Sequence, residues 1–530
     1  MADWLPDDHL AWFLIDAVEA MDTTAFHSRR ARAQVSQGRA GFDPDMLVTL
    51  LLYAYAHEVR SSRRIERLCA TDVAFRVICA QDAPDHTTIA RFRAEHEAAF
   101  TQLFTQVLIV CATAGLGRVG SIAVDGTKIA ANASLDANRT EDKLRAALQI
   151  ELEAELEREA ERIVAAAAAT DAAEDAAFGD QRGDELPPSL RGRGGGRVKR
   201  IRECLAQIET ETTERTEQRA AADARADATL QAARDRVERA ENEARAKTQA
   251  WQDTWATVPA DRRGRVPRRR RPPVNVENSQ RVRLARERLA KAEQRFTERE
   301  ARLAAAQQAT VKKQQDAPRR NITDPDSRIM PTRKGWIQGY NAQIAVTDDH
   351  LILAATITQD TVDTAQAEPM TTAALDAAAI IKHHRPTPAT SNDPGTNPDP
   401  DPHHGIGLIL FDAGYLSENN LTTPGPDRLI ALGKHRDQTR SAATNPTSGP
   451  PAEDATAIEQ MSHRLRTPEG HRTYKRRGAT VEPVIGHLKA QTGLRRFSRR
   501  GLTAATSELN LAAAVVNLLK LHTHTHHPAT

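Results

Sequence analysis

Strand signals vanish from this chain for nearly two hundred residues, and that gap constrains the fold more than any other feature. Before it, from Ser121, SIAVDGTKIAANA reads as a short apolar strand running into an Asp-Gly step. After it, strands resume at GYNAQIAVTDD (339–349) and LILAATITQ (351–359). A helix (364–382), the strand GIGLILFD (405–412), the strand RLIALG (428–433) and two helices (479–491, 503–521) follow. This order predicts a mixed sheet with helices packed on it, an α/β domain assembled from 119–136 and 319–522.

The interruption, 137–318, is rich in Ala, Glu, Arg and Gln. Leu144, Leu148, Leu152 and Leu156 form one stripe; Val282, Ala285, Leu289, Ala292, Phe296 and Leu303 form a heptad-like one, broken at Arg299. The spacing predicts a helical, coiled-coil-like insertion of antiparallel arms. GRGGGR (192–197) and DRRGRVPRRRRPP (261–273) lie between the long helices, and the Arg cluster 268–271 suits either phosphate contact or a structural tip.

Residues 1–118 read as an all-α unit: Leu10, Phe13, Leu14, Ala17 and Val18 recur at helical spacing, as do Met46, Leu47, Leu50, Leu51 and Ala54. Asp85 is the expected N-cap of a helix carrying Thr87, Thr88, Arg91 and Arg93, and a further helix at 95–113 buries Phe100, Leu103, Phe104, Val107 and Leu108. Short helices with tight connections fit a helix-turn-helix-like DNA-binding domain; a helical bundle with a solvated face fits the same pattern. The stretches 384–404 and 436–456 are polar and Pro-rich and are expected to be disordered, and the His-rich tail 523–530 to be frayed.

A chain of 530 residues exceeds what one core serves, so several domains are expected. No run approaches the roughly 18 apolar residues of a membrane span, and the N-terminus lacks the basic start of a signal peptide. Cys69, Cys79, Cys111 and Cys204 have neither metal-site nor disulfide spacing. These features predict a cytoplasmic protein with no membrane partner. With 73 Lys+Arg against 71 Asp+Glu, the net charge of +2 argues at first sight against a nucleic-acid partner.

The distribution of charge reverses that inference. Asp125 is read as ending the first strand and Asp412 as ending a later one, where an open sheet presents its ligand-binding crevice. Two aspartates leaving adjacent strands can share Mg²⁺, although Asp-Gly and Asp-Ala-Gly also make ordinary turns. In TYKRRGATVEPVIGHLKAQTGLRRFSRRG (473–501), Glu482 stands among Arg476, Arg477, Lys489, Arg495, Arg496, Arg499 and Arg500. One acid among seven bases suits an acid that holds a metal while the bases hold a polyanionic backbone. Three carboxylates with two metals are the usual machinery of in-line displacement at a phosphodiester. Asp324 and Asp326 lie in a Pro-containing turn and read as caps rather than ligands. Trp336, flanked by Arg328, Arg333 and Lys334, suits either stacking on a displaced base or packing under the sheet edge.

Over residues 5–530 the chain resembles bacterial insertion-sequence transposases of the DDE type. AVDGTKIAANAS, NITDPDSRIMPTRKGWIQGYNAQIAV, LILFDAGYLSENN and MSHRLRTPEGHRTYKRRGATVEPVIGHLK carry the likeness in family order. The resemblance implies an RNase H-like catalytic fold with Asp125, Asp412 and Glu482 as its three acids. Its Tyr-Arg-Glu-Lys signature maps to Tyr474, Arg477, Glu482 and Lys489, with four residues between Arg477 and Glu482 where the commonest form has three. It further implies two Mg²⁺ ions, replaceable by Mn²⁺. The implied DNA contacts are Tyr474, Arg476, Arg477, Lys489, Arg495, Arg496, Arg499, Arg500, Lys128, Trp336, Thr87, Thr88, Arg91 and Arg93. The partners implied are double-stranded DNA, as terminal inverted repeats and target, and a second copy in a DNA-bound homodimer, associated with the nucleoid. A structure-specific nuclease on the same fold and a non-catalytic DNA-binding or assembly protein derived from a transposase are the rival readings.

Overall fold

The computed structural model describes residues 4–27, 41–152, 154, 196–257, 273, 275–308, 318–386 and 403–526. Two compact units emerge: Met1–Asn138 with Arg320–Thr530, and Arg139–Arg319.

The first unit is built on a six-stranded mixed sheet. Its strands are β1 (Ser121–Ala130), β2 (Arg328–Thr332), β3 (Gly335–Thr347), β4 (Ile352–Thr358), β5 (Leu408–Phe411) and β6 (Asp427–Ile430). β3 is buried almost throughout. One edge of β3 pairs antiparallel with β1, from Ile122↔Thr347 to Ala130↔Gly339. Its other edge pairs with β2 near its start and with β4 towards its end, both antiparallel. On its far side β1 pairs parallel with β5, and β5 parallel with β6. The α/β class and mixed sheet expected from the pattern are therefore present.

Two strand expectations need correction. β1 does not end at Asp125 but runs on to Ala130, because β3 pairs with it through Gly126↔Gln343 and Lys128↔Asn341. β2 escaped the sequence reading altogether. Arg328–Thr332 folds back on β3 as a hairpin around Arg333 and Lys334, and Pro331 is tolerated because β2 is an edge strand.

The N-terminal helices are α1 (Leu10–Glu19), α2 (Pro44–Ala56), α3 (Ser62–Thr71), α4 (Val73–Ile78), α5 (His86–Glu95) and α6 (Glu97–Thr113). Asp85 caps α5 as expected: its Oδ1 accepts the N–H groups of Thr87 and Thr88, each at 2.8 Å. Hydrogen bonds from Thr87 and Thr88 pull the Asp85 carboxyl down to about 2.

The second unit contains α7 (Gly196–Ala256) and α8 (Gln280–Gln308). At 1.5 Å per residue, the 61 residues of α7 extend about 90 Å. Arg281 pairs with Glu243, Arg286 with Glu241 and Arg299 with Asp223, so partner numbers fall as α8 advances and the helices are antiparallel. Val282 and Ala285 bury against Ala240 at one end of the seam. Arg299 interrupts the apolar stripe because Asp223 faces it. Leu156, the Arg cluster 268–271 and most of GRGGGR lie outside the described residues.

After the insertion the first unit continues, among the described residues, with the helices α9 (Ala367–His384), α10 (Glu418–Thr422), α11 (His435–Thr444), α12 (Ala457–Arg466), α13 (Pro468–Ala490) and α14 (Leu502–His526).

 The stretch 436–456, expected to be disordered, is corrected by α11 and by Thr447, whose hydroxyl donates to the His463 carbonyl of α12 at 2.6 Å. The other polar stretch, 384–404, falls mostly on 387–402, outside the described residues.

α14 organises the core. Residues from Ala505 to Leu518 are buried at nearly every position, and the helix packs on α2, α6 and β4. It is long and apolar enough to cross a bilayer, which corrects the expectation that no segment reaches that length. Its flanks are protein, and a helix that is apolar all round is a core helix when so enclosed. The boundary expected at residue 118 is also corrected, because α2 and α6 pack on α14 and share one hydrophobic cluster with the sheet. α14 continues to His526, so the first tail residues are helical; His522 meets the Phe13 ring edge-on at 5.0 Å.

Candidate active site

The two aspartates come together through strand register. β1 and β5 pair in parallel through Ala123↔Leu410. Asp125 lies two residues beyond Ala123 and Asp412 two beyond Leu410, so both stand side by side where the pairing ends. Asp412 starts a 3₁₀ turn, Ala413–Tyr415, and its Oδ1 accepts from the Gly414 N–H at 2.8 Å. Asp125 accepts from the Gly126 N–H at 2.9 Å.

Burial pushes the Asp125 carboxyl up to about 6; the Arg477 guanidinium opposes this, while the Asp412 and Asp363 carboxylates add to it. Arg477 Nη2 lies 2.9 Å from Asp125 Oδ1 as an ion pair. Neither Nε nor Nη2 of Arg477 has an aligned hydrogen-bond acceptor, although both atoms are buried. The guanidinium therefore acts here mainly as a positive charge set against crowded carboxylates. Tyr474 is buried on the same helix, and burial pushes its hydroxyl up to about 12. The expected DNA contacts at Arg477 and Tyr474 are thus corrected: both side chains face the protein interior.

α13 carries Glu482, the acid expected to complete the set. Thr467 caps it, with Pro468 in its first turn, and Val481, Val484 and Leu488 bury one face. Glu482 is exposed, and among the described residues it makes no hydrogen bond or ion pair. It lies between Arg477, which reaches Asp125 on β1, and Lys489, which donates to the Thr127 hydroxyl on β1. Pro483, inside the helix, leaves the Ala479 carbonyl without its usual partner beside Glu482.

The remaining predicted DNA contacts divide by exposure. Arg495, Arg496, Arg500 and Arg91 are exposed. Arg496 bridges to Ala130 through its backbone, so this basic segment continues from the end of β1. Arg476 is exposed but paired with Asp348 at 2.9 Å. Lys128 pairs with Asp363 at 3.3 Å. Arg93 is 6% exposed and donates to the Arg60 carbonyl, the Tyr55 hydroxyl and Ser498 Oγ, which corrects its reading as a DNA contact. Arg499 is likewise engaged, by Glu97 and by the Arg93 carbonyl. The hydroxyls of Thr87 and Thr88 both donate to Asp85. Trp336 is 64% exposed on the β2–β3 hairpin beside exposed Arg333 and Lys334, so it does not pack under the sheet edge. Asp324 and Asp326 cap α14: they accept from the Gly501 and Leu502 N–H groups at 3.1 and 2.9 Å.

Asp363 is the site residue that sequence reasoning missed. It stands just ahead of a 3₁₀ turn, in a stretch that the sequence reading did not single out. Together with Asp125 and Asp412 it offers hard oxygen donors of the kind a divalent cation requires. One observation fits such an ion: glycines at 126 and 414, where a Cβ would meet carboxylate oxygens, keep the space around the three acids open.

Residues 1–95 match the family described as Transposase domain (DUF772), and residues 438–522 match the Transposase DDE domain family. The second match spans α13 and with it Arg477, Glu482 and Lys489. Comparisons with curated proteins and with solved structures return no significant match. The families matched at both of its ends support an insertion-sequence transposase of the DDE type.

Proposed function

We propose that this transposase cuts DNA at the terminal inverted repeats of its element and joins the freed 3′ ends to target DNA. The observation that carries the reading is the side-by-side placement of Asp125 and Asp412 where the parallel pairing of β1 and β5 ends. A mixed sheet with one antiparallel neighbour and one parallel neighbour of β1 supports an RNase H-like core.

Asp125 and Asp412 would hold divalent cations, Mg²⁺ or Mn²⁺, with Glu482 completing the set from α13. When bound, the ions supply Lewis acidity: they favour ionisation of an attacking water or 3′-hydroxyl and stabilise the leaving oxygen. Lys489, fixed by Thr127, and exposed Arg495, Arg496 and Arg500 hold the phosphate backbone. The N-terminal helices α3–α5 read the element ends. Two ends must be held at once, so the acting form is at least a dimer.

Trp336 stacks on an unpaired base near the cut. Trp336→Ala is expected to weaken binding of a single-stranded element end by about 1–3 kcal/mol, roughly 5–150-fold. Fluorescence anisotropy with labelled oligonucleotides measures this. Its thermal midpoint should match the parent, since the ring is 64% exposed.

The decisive assay is strand transfer with labelled element-end DNA, target plasmid and Mg²⁺, comparing the natural chain with Asp412→Ala. Joined products from the natural chain alone support the proposal. Hydrolysis without joining indicates a plain nuclease. DNA binding without cleavage indicates an assembly protein that has lost its chemistry.

A further inference from the structure

Asp363 stands where a helix cap would stand and does not cap. It precedes the 3₁₀ turn Thr364–Gln366, yet its side chain makes no cap hydrogen bond. Its Oδ1 instead accepts from Lys128 Nζ at 3.3 Å, Asn341 Nδ2 at 2.6 Å and Gln343 Nε2 at 2.7 Å. Gln343 in turn accepts from the Tyr415 hydroxyl, three residues after Asp412. In the β1–β3 register Lys128 is opposite Asn341 and Gly126 opposite Gln343. One face of two paired strands is therefore devoted to orienting a single carboxylate.

Two glycines make room for it. A Cβ at Gly126 would lie 2.5 Å from Asp363 Oδ1 and 2.6 Å from Gln343 Nε2. A Cβ at Gly414 would lie 3.0 Å from Asp412 Oδ1 and 3.2 Å from Asp363 Oδ2. Neither glycine has positive φ, so neither is required by a turn. The Asp-Gly and Asp-Ala-Gly steps, which read as turn signals, are explained by a third carboxylate arriving from elsewhere in the chain. Among the described residues, Oδ2 of Asp363 makes no hydrogen bond, and it faces the Gly414 side, where Asp412 lies. Three carboxylates (Asp125, Asp363, Asp412) crowd one another here; Arg477 pairs with Asp125, Lys128 with Asp363, and Lys489 acts on Asp125 from α13. Partly buried like charges are costly unless a further cation joins them.

We propose that Asp363 is a fourth carboxylate of the divalent-cation centre, acting through its free Oδ2 beside Asp412. The proposal rests on the DDE reading of Asp125 and Asp412. The test is Mn²⁺ titration of the full chain without DNA, with free Mn²⁺ read by electron paramagnetic resonance. Asp363→Asn keeps the side chain's shape and an acceptor for Lys128 while removing the charge. It is expected to weaken Mn²⁺ binding about 10–100-fold, with a native circular dichroism spectrum, as Asp412→Asn also should. Weakened binding in Asp412→Asn with natural affinity in Asp363→Asn overturns the assignment of Asp363 alone. Natural affinity in both variants overturns the metal-centre reading itself. If Asp363→Asn does not fold, Gly414→Ala takes its place, because the added methyl crowds both carboxylates. Weaker Mn²⁺ binding in that variant supports the proposal, and unchanged binding overturns it.

Discussion

Glu508→Ala is expected to lose about 3–5 kcal/mol of folding stability. Glu508 is fully buried on α14, the helix around which the first unit packs. Its Oε1 accepts from Arg60 Nη1 and Ser498 Oγ, both at 2.9 Å, and its Oε2 accepts from the Ser498 N–H at 2.9 Å. Arg93, with a side chain only 7% exposed, lies 3.9 Å from the same carboxylate. Alanine would leave the Arg60 and Arg93 charges without their carboxylate and the Ser498 N–H without its acceptor, and a buried charge without its partner is far costlier than the pair is favourable. Urea unfolding of Glu508→Ala and Glu508→Gln measures the loss. Glutamine retains an acceptor and should lose less than alanine. An alanine variant with the natural unfolding midpoint would show that the network contributes nothing.

For Asp412→Ala, strand cleavage and joining should both fall by about 10³-fold or more. Displacement at a phosphodiester depends on several kcal/mol of charge stabilisation, and about 4 kcal/mol corresponds to 10³ in rate. Asp412 also caps the turn Ala413–Tyr415, so the alanine variant loses two things at once. Asp412→Asn separates them, because the amide oxygen can still accept from Gly414 while the negative charge is gone. Equal loss of activity in both variants, with stability reduced only in alanine, assigns the effect to charge. Natural activity in Asp412→Asn would remove this residue from the catalytic set.

The strands and their succession along the chain were legible because period-two and continuous apolar runs are local signals, and β3, β4, β5 and β6 all carry them; their order in the sheet was not. Asp125 and Asp412 were legible for the same reason, as acids next to such runs. Their separation from ordinary turns was not, since that depended on Gly126 and Gly414 meeting Asp363 across the fold. Asp363 was not singled out, because sequence reveals position along the chain and not where a carboxylate points. Charge patterning marked Arg93, Arg477 and Arg499 as DNA contacts, but long cationic side chains also satisfy buried acids, here Asp125, Glu508 and Glu97. Burial of Tyr474 follows from tertiary packing on α13, which no local pattern encodes.

The place of α14 in the chain has a consequence for synthesis. It is the last helix, ending at His526, yet α2 and α6 bury their apolar faces against it. At about 5–20 residues per second, hundreds of residues must be translated after α6 before that partner leaves the ribosome, which takes on the order of tens of seconds. Through that interval Cys111, whose thiol donates to the Asn517 carbonyl of α14 in the finished fold, and the face of α6 that meets α14 stay without that cover.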